Sequence, residues 1–374
     1  MLIGVPREIK NHEYRVGLTP ASVRELARRG HRVIVQRDAG VAIGLADEAY
    51  RAVGAEVVDT ADEVFARAEL IVKVKEPQPQ ECAMLRPAQA IFTYLHLAPD
   101  RRQAEALCAA GATAIAYETV SDASGGLPLL VPMSEVAGRM AIQAGAAHLE
   151  KSKGGSGVLL GGVPGVPAGK VVILGGGVVG YNAARTAVGI GAQVTIINRS
   201  LERLRWLDQQ FAGRVQTVCS TGEAIESALS EADLIVGAVL IPGAATPRLV
   251  SRQQLKLIRP GSVLVDVSID QGGCFETSRP TTHDHPTYVV DGVVHYCVAN
   301  MPGAVARTST FALNQATLPF VLAMADKGIR QALLDDPHLL AGLNVHAGEI
   351  TCQPVAEALG IDYRSAGELL KAAG

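Results

Sequence analysis

VVILGGGVVGYNAARTAVGIGAQVTIIN, residues 171–198, decides the fold. An apolar run, Val171–Leu174, stops at three glycines. A helical pattern opens near Val178, and a second apolar run, Gln193–Asn198, follows. This is strand, tight turn, helix, strand. Gly175, Gly177 and Gly180 match G-x-G-x-x-G. The first makes the turn, the second lets a pyrophosphate approach the backbone, and the third lets helix and strand pack closely. The helix N-terminus then faces the phosphates with its partial positive charge. Alone, the spacing is weak evidence. Inside a strand–helix–strand unit it marks a dinucleotide site, the alternative being a tight structural turn.

Working outward, the same alternation continues. Downstream, strands are expected at Val215–Cys219, Asp233–Val239, Ser262–Val267, Tyr288–Val290 and Val293–Cys297. Upstream they are expected at Leu2–Val5, Arg32–Gln36, Leu70–Lys75, Ala90–Leu95 and Ala112–Tyr117. Thr19-Pro20 starts a helix that Gly30 ends, and Thr60 with Glu63 forms a capping box. Ser134 is read as the N-cap of a helix to Lys151, followed by a Gly- and Pro-rich connection over 154–169. Beyond Met301-Pro302-Gly303 a helix is expected to about Lys327, then shorter helices without strands. Such a tail cannot stand alone and is expected on the first sheet. The fold class is α/β, with mostly parallel sheets flanked by helices. The expected division is a discontinuous substrate domain, 1–130 plus 304–374, and an NAD(P)-binding domain, 131–303.

Composition narrows the function classes. Aromatics make up 4% and the net charge is −3, so neither stacking platforms nor a basic footprint for nucleic acid is present. Six cysteines (82, 108, 219, 274, 297 and 352) include no C-x-x-C pair and read as free thiols of a reducing compartment. The N-terminus MLIGVPREIK is not a signal peptide. The uncharged stretch Gly154–Gly169 is too rich in Gly and Pro for a membrane helix. A cytoplasmic enzyme without membrane or nucleic-acid partners is the expectation.

Ligands of open α/β sheets bind beyond the carboxyl ends of the strands. Four charged residues fall there: Arg15 after the first strand, Lys75 in VKVK, His96 after FTYL, and Asp270 after SVLVDVSI. Singly, each has a structural reading: a surface charge, a carbonyl cap, a buried histidine, a turn cap. Together they form a set, because Arg with Lys suits a small carboxylate and His with Asp suits proton transfer near neutral pH. That is what a 2-amino or 2-hydroxy acid dehydrogenase requires. His283 and His285 form H-x-H without the further ligands of a zinc site, and no metal is expected.

The second strand of the dinucleotide unit ends in Asn198-Arg199-Ser200, with Arg203 one helical turn on. NAD-selective sites usually carry an acid here, which binds the ribose 2′-hydroxyl. Its absence, with Arg199, Ser200 and Arg203 nearby, suits a 2′-phosphate. The alternative is a solvated basic helix start.

Seven segments resemble the alanine dehydrogenases, relatives of the soluble nicotinamide-binding subunit of transhydrogenase. They are IGVPREIKNHEYRVGLTP (3–20), VKVKEP (72–77), FTYLHLA (92–98), AYETV (116–120), LLGGVPGVPAGKVVILGGGVVG (159–180), VDVSIDQGGCFETSRPTTH (265–283) and NMPGAVARTST (300–310). The resemblance implies two Rossmann-like doubly wound domains with the active-site cleft between them, usually as a homohexamer. It implies Arg15 and Lys75 as substrate-binding residues and His96 and Asp270 as the acid–base pair, with L-alanine, pyruvate and ammonium as substrates. It places Ser134, Val178, Val179, Ser220, Val239, Leu240, Val267, Ser268, Ile269, Arg279, Val298, Ala299, Asn300 and Met301 at the cofactor, NAD(H) or NADP(H). The departure at Asn198 leads to the expectation that NADPH is used at least comparably to NADH. A related amino- or imino-acid dehydrogenase, or a transhydrogenase-like binder without turnover, are the alternatives. An intact Arg, Lys, His, Asp set favours the dehydrogenase.

Overall fold

The computed structural model describes residues 1–239 and 246–372. The chain divides into two compact units, Met1–Met133 with Val305–Gly374, and Ser134–Ala304. In chain order the first six strands are β1 Leu2–Val5, β2 Arg32–Gln36, β3 Glu56–Val58, β4 Leu70–Val72, β5 Ala90–Thr93 and β6 Thr113–Ala116. The second unit holds β7 Lys170–Leu174, β8 Gln193–Asn198, β9 Gln216–Cys219, β10 Leu234–Gly237, β11 Val263–Asp266, β12 Thr287–Val290 and β13 Val293–Tyr296. The chain then returns to the first unit with β14 Leu343–His346 and β15 Glu349–Ile350.

The first sheet runs β15-β14-β6-β5-β4-β1-β2-β3, and the second β12-β13-β11-β10-β7-β8-β9. In both, the strand that comes first in the chain is internal and the order reverses beside it: at β1/β4 in one, at β7/β10 in the other. This is the doubly wound order, and its reversal point is where ligands bind. The ladders from β6 to β3 and from β13 to β9 are all parallel. Antiparallel pairing is confined to the ends of the sheets, where β14 joins β6 and β15, and β12 joins β13. Strands β4, β5, β6, β10, β11 and β13 are buried at every residue. That explains why they read as continuous apolar runs rather than alternating ones.

Several local expectations match the structure: β1, β2 and β8 residue for residue, the Thr19 cap that accepts from the Ser22 N–H, and the helix Val178–Gly189. Three need correction. Ser134 is no N-cap, because the helix spans Val131–His148. Pro132, which has no N–H to lose, sits comfortably in its first turn and lets the helix begin earlier. The C-terminal tail does contain strands: β14 pairs with β6 and extends the first sheet. Its hairpin to β15 turns at Ala347 and Gly348, both at positive φ, which suits a tight two-residue loop. Strands this short leave no periodicity to read. Finally, β4 ends at Val72 rather than Lys75, and β5 at Thr93 rather than Leu95. Side-chain carboxylates, described next, take over the backbone N–H groups past those points.

Candidate active site

Three of the four charged residues singled out from the sequence leave neighbouring strands of the first sheet, at and beside its reversal point. Lys75 follows β4. The Lys73 N–H still donates to the Phe92 carbonyl of β5 at 3.1 Å, but the next N–H, that of Val74, donates to Glu8 Oε1 at 2.7 Å, so a carboxylate takes over there. Lys73 Nζ lies between Glu81 Oε1 (2.6 Å) and Glu8 Oε2 (3.2 Å), all three buried. The Tyr117 hydroxyl donates to the Lys73 carbonyl, and Thr93 Oγ1 to that of Lys75. Backbone 73–75 is thus fixed from four sides. Lys75 itself is half-buried, its Nζ 4.0 Å from Glu76 Oε2, and Glu76 is also ion-paired with Lys10.

Arg15 is 2% exposed. Glu13 takes its Nε at 2.6 Å and Nη2 at 2.5 Å, a two-pronged pair, while Nη1 points at Met133 Sδ, 3.1 Å away. Burial alone would lower the guanidinium pKa, but the Glu13 bonds and charge raise it. A carboxylate ligand would therefore meet the Nη edge and not the whole fork. Arg15 also interacts electrostatically with the buried Tyr94, whose ring stacks on His96 with centroids 5.7 Å apart and planes 4° off parallel.

His96 sits on an exposed turn with φ +50°, the left-handed region that non-glycine residues enter at a cost of roughly 1–3 kcal/mol. Its N–H donates to Glu118 Oε1 at 2.5 Å, and the Leu95 N–H reaches both Glu118 oxygens at 3.2 Å. Asp270 belongs to the other unit. It is exposed on the short 3₁₀ turn Ile269–Gln271, which ends at Gly272 with φ +98°. The buried Asp266 carboxylate at the end of β11 shapes this loop by accepting from the Ser268 N–H, the Cys274 N–H and Ser278 Oγ.

Glu8, Glu13 and Glu118 were not found by sequence reasoning. Glu118 was findable: it follows β6, one strand over from His96, and the strand-mouth rule applies to it equally. Glu8 gives no local signal, because its partners lie 65 and 66 residues away. Around Lys73, burial pushes the lysine pKa down but Glu8 and Glu81 push it up further, so it stays charged. Burial also raises Glu8. Lys73→Met strips both acids of their counter-charge, and breaking such a buried pair costs about 3–5 kcal/mol. A carboxyl whose pKa is raised on folding stabilises below its unfolded pKa and loses that contribution as pH rises through the folded value. The variant's deficit is therefore expected to be small near pH 4.5 and large at pH 8. Denaturant midpoints of parent and variant at both pH values check this, and equal deficits would show that Glu8 carries no uncompensated charge.

In the second unit, the loop after β7 has the shape a dinucleotide needs. Gly175 has φ +109°. A Cβ on Gly180 would lie 1.9 Å from the Gly175 carbonyl oxygen, so helix and turn touch through the missing side chain. A Cβ on Gly177, the N-cap of the helix Val178–Gly189, would meet nothing within 4 Å. The cradle is open where a pyrophosphate would approach, and the residues fit such a group. Val178 and Val179 open the helix beneath it.

At the ribose end, Asn198 Oδ1 accepts the Gly176 N–H (3.0 Å) and its Nδ2 donates to the Ser200 carbonyl (3.3 Å). The Ser200 hydroxyl caps the next helix through the Arg203 N–H. Arg203 donates Nε to the Gly176 carbonyl at 2.6 Å and lies over the Trp206 ring at 3.9 Å. Ser200 Oγ and Arg203 Nε thus each have a partner within the protein, and Arg199 is exposed. Ser220 N–H donates to the Asn198 carbonyl, and Ser268 Oγ to that of Val239. Val267, Ser268 and Ile269 lead from β11 into the Asp270 turn. Val298, Ala299, Asn300 and Met301 follow β13, with Asn300 at φ +60°. Arg279 covers the Tyr288 ring at 4.2 Å, and Ser134 lies inside its helix. Leu240 lies outside the described residues. Among the described residues no three His, Cys, Asp or Glu side chains could hold a metal ion, and no helix is long and apolar enough to cross a membrane.

Family models bear on this arrangement. The model described as the alanine dehydrogenase/PNT N-terminal domain matches residues 4–137, and its C-terminal counterpart matches 141–353. The chain belongs to the alanine dehydrogenase/PNT family. Within it, the chain is 60% identical over 370 residues to an alanine dehydrogenase of Halomonas elongata, covering 99% of this chain and all of that one. It is 55% identical over 372 residues to an alanine dehydrogenase of Bacillus subtilis, covering 99% and 98%. A solved L-alanine dehydrogenase superposes with TM-score 0.94 at 53% identity, covering 96% of this chain and 99% of that one. A transhydrogenase from Sinorhizobium meliloti shares the fold, with TM-score 0.80 at 24% identity over 94% and 99%.

Proposed function

We propose that this member of the alanine dehydrogenase/PNT family is an L-alanine dehydrogenase, interconverting L-alanine with pyruvate and ammonium using a nicotinamide cofactor. The observation that carries the reading is the grouping of Arg15, Lys75 and His96 beyond three neighbouring strands, β1, β4 and β5, around the reversal point of one sheet. Full-length identity to alanine dehydrogenases supports it. Unit 1 is assigned the substrate and unit 2 the dinucleotide.

A dinucleotide held through its pyrophosphate by the Gly175–Gly180 loop would supply, in its nicotinamide, the acceptor for a hydride from Cα and the donor in reverse. Lys75 and the Nη edge of Arg15 bind the substrate carboxylate. Lys75 also polarises the carbonyl oxygen in the reductive direction. His96 takes a proton so that the amine is neutral when hydride leaves, releases that proton to solvent, and in its neutral form deprotonates the water that adds to the resulting iminium carbon. It returns a proton to nitrogen as the carbinolamine collapses to pyruvate and ammonia. Asp270 is assigned to orient amine or water; the family resemblance alone supports that role. Initial rates with alanine, and with pyruvate plus ammonium, test the reading. Turnover in both directions is expected, and cofactor binding without turnover would leave a transhydrogenase-like binder instead.

We also propose that NADPH serves at least comparably to NADH. Asn198 lacks the charge that would repel a 2′-phosphate, and exposed Arg199 is placed to meet one. Arg199 alone would supply one charge-assisted contact, worth ~1.5–3 kcal/mol before solvent screening. About tenfold in relative kcat/KM is therefore expected to move toward NADH in Asn198→Asp with Arg199→Ile. A parent that strongly prefers NADH, unchanged in the double variant, would show that these residues do not read the ribose. A homohexamer in the cytoplasm completes the proposal, on the family resemblance.

A further inference from the structure

We propose that Glu118 is a positioning residue for His96, its carboxylate gripping the main-chain N–H groups of Leu95 and His96 to hold the left-handed turn that presents the imidazole. The inference rests on the reading of His96 as the acid–base group.

Three observations carry it. First, the contacts are to backbone. His96 N–H is 2.5 Å from Oε1, and Leu95 N–H is 3.2 Å from each oxygen, whereas His96 Nδ1 stands 3.9 Å from Oε1. That last separation is too long for a hydrogen bond, so Glu118 is no proton relay to the ring. Two successive N–H groups converging on one anion form a small concave site that fixes the backbone between them. Second, the conformation needs fixing: His96 has φ +50°, which a histidine adopts only where its surroundings impose it. No strand supplies acceptors here, because β5 has ended at Thr93. Third, Glu118 is itself well seated. It lies on the 3₁₀ turn Tyr117–Thr119, with the Tyr117 hydroxyl bound to the Lys73 carbonyl and Thr119 Oγ1 accepting from Asn344 Nδ2 at 2.7 Å. Tyr94, fixed by its hydroxyl on the Leu129 carbonyl, stacks against the imidazole. Tyr94 thus locates the ring and Glu118 its backbone.

The experiment is a double-mutant cycle on the full chain. It uses Glu118→Ala, His96→Ala and the pair, with Glu118→Gln as the conservative variant, reading kcat and KM for alanine and NADH affinity by fluorescence titration. Misplacing a reacting group by about 1 Å can cost up to ~10²-fold, so Glu118→Ala is expected to lower kcat about 10–50-fold with NADH affinity unchanged. Glu118→Gln keeps one acceptor oxygen for the His96 N–H but loses the charge and the second acceptor, and should lose about three- to tenfold, a measurable part of the alanine variant's cost. In the His96→Ala background the Glu118→Ala change should cost nothing further, since residues acting as a unit are non-additive. A general structural role would instead lower NADH affinity alongside kcat, or keep its full cost without His96; either result overturns the proposal. Full turnover in Glu118→Ala, or in Glu118→Gln should the alanine variant not fold, also overturns it while leaving the reading of His96 standing. Full turnover in His96→Ala removes that reading and this inference together.

Discussion

His96→Ala is expected to lower kcat by about 10²–10⁴-fold in both directions, the usual contribution of a positioned proton donor and acceptor, while NADH binding stays near that of the parent. The argument is one of chemistry and placement. Oxidative deamination moves protons at nitrogen and at water, and imidazole is the side chain that both takes and gives a proton near neutral pH. His96 is held in a strained backbone conformation, with its main-chain N–H on Glu118 and its ring against Tyr94. Strain of that kind persists only where surrounding structure imposes it. The dinucleotide loop belongs to the other unit, so cofactor affinity should be spared. Steady-state rates with alanine and with pyruvate plus ammonium, beside an NADH titration, decide the matter. A variant with nearly parental turnover would remove His96 from the chemistry.

How much of this was legible depends on the range of the interactions. The strand–turn–helix–strand unit could be read almost residue by residue, because its determinants are local: apolar runs, Gly175, Gly177 and Gly180, and the helix between them. The same holds for Thr19-Pro20, where cap and first-turn proline are adjacent in sequence. Legibility failed where partners are distant. Strand β14 exists because Val345 pairs with Ala114, and nothing within LNVH announces that partner. The ends of β4 and β5 were placed too late because Glu8 and Glu118 substitute for strand acceptors across long separations. At the ribose end the sequence located the residues but not their contacts. Ser200 begins a helix and Arg203 follows three residues later, so the cap was readable locally; the Ser200 hydroxyl accepts the Arg203 N–H, and Arg203 Nε donates to the Gly176 carbonyl. For Arg15, sequence located the residue but not Glu13, whose carboxylate takes its Nε and Nη2.

Gly180→Ala is expected to reduce NADH affinity by at least about 10²-fold and to destabilise the second unit. A methyl carbon 1.9 Å from the Gly175 oxygen cannot be accommodated without movement. The helix cannot simply slide, because Ile173 Cγ2 stands 3.3 Å from the same position. The turn cannot retreat either: Gly175 is at φ +109°, and its own Cβ position lies 2.5 Å from the Ala238 oxygen. Helix Val178–Gly189 must therefore lift from β7, carrying its first-turn N–H groups away from the phosphates they would bind. Overpacking of this kind costs ~1–3 kcal/mol, and the displaced N–H groups account for the affinity. Gly177→Ala separates the two effects. Its Cβ meets nothing within 4 Å and its φ of −70° suits alanine, so stability should change little, while a methyl group facing the approaching pyrophosphate still weakens binding. Thermal midpoints and NADH fluorescence titrations on both variants make the comparison. Parental affinity in Gly177→Ala would mean the dinucleotide does not approach this loop, and an unchanged midpoint in Gly180→Ala would mean helix and turn are not in the contact described.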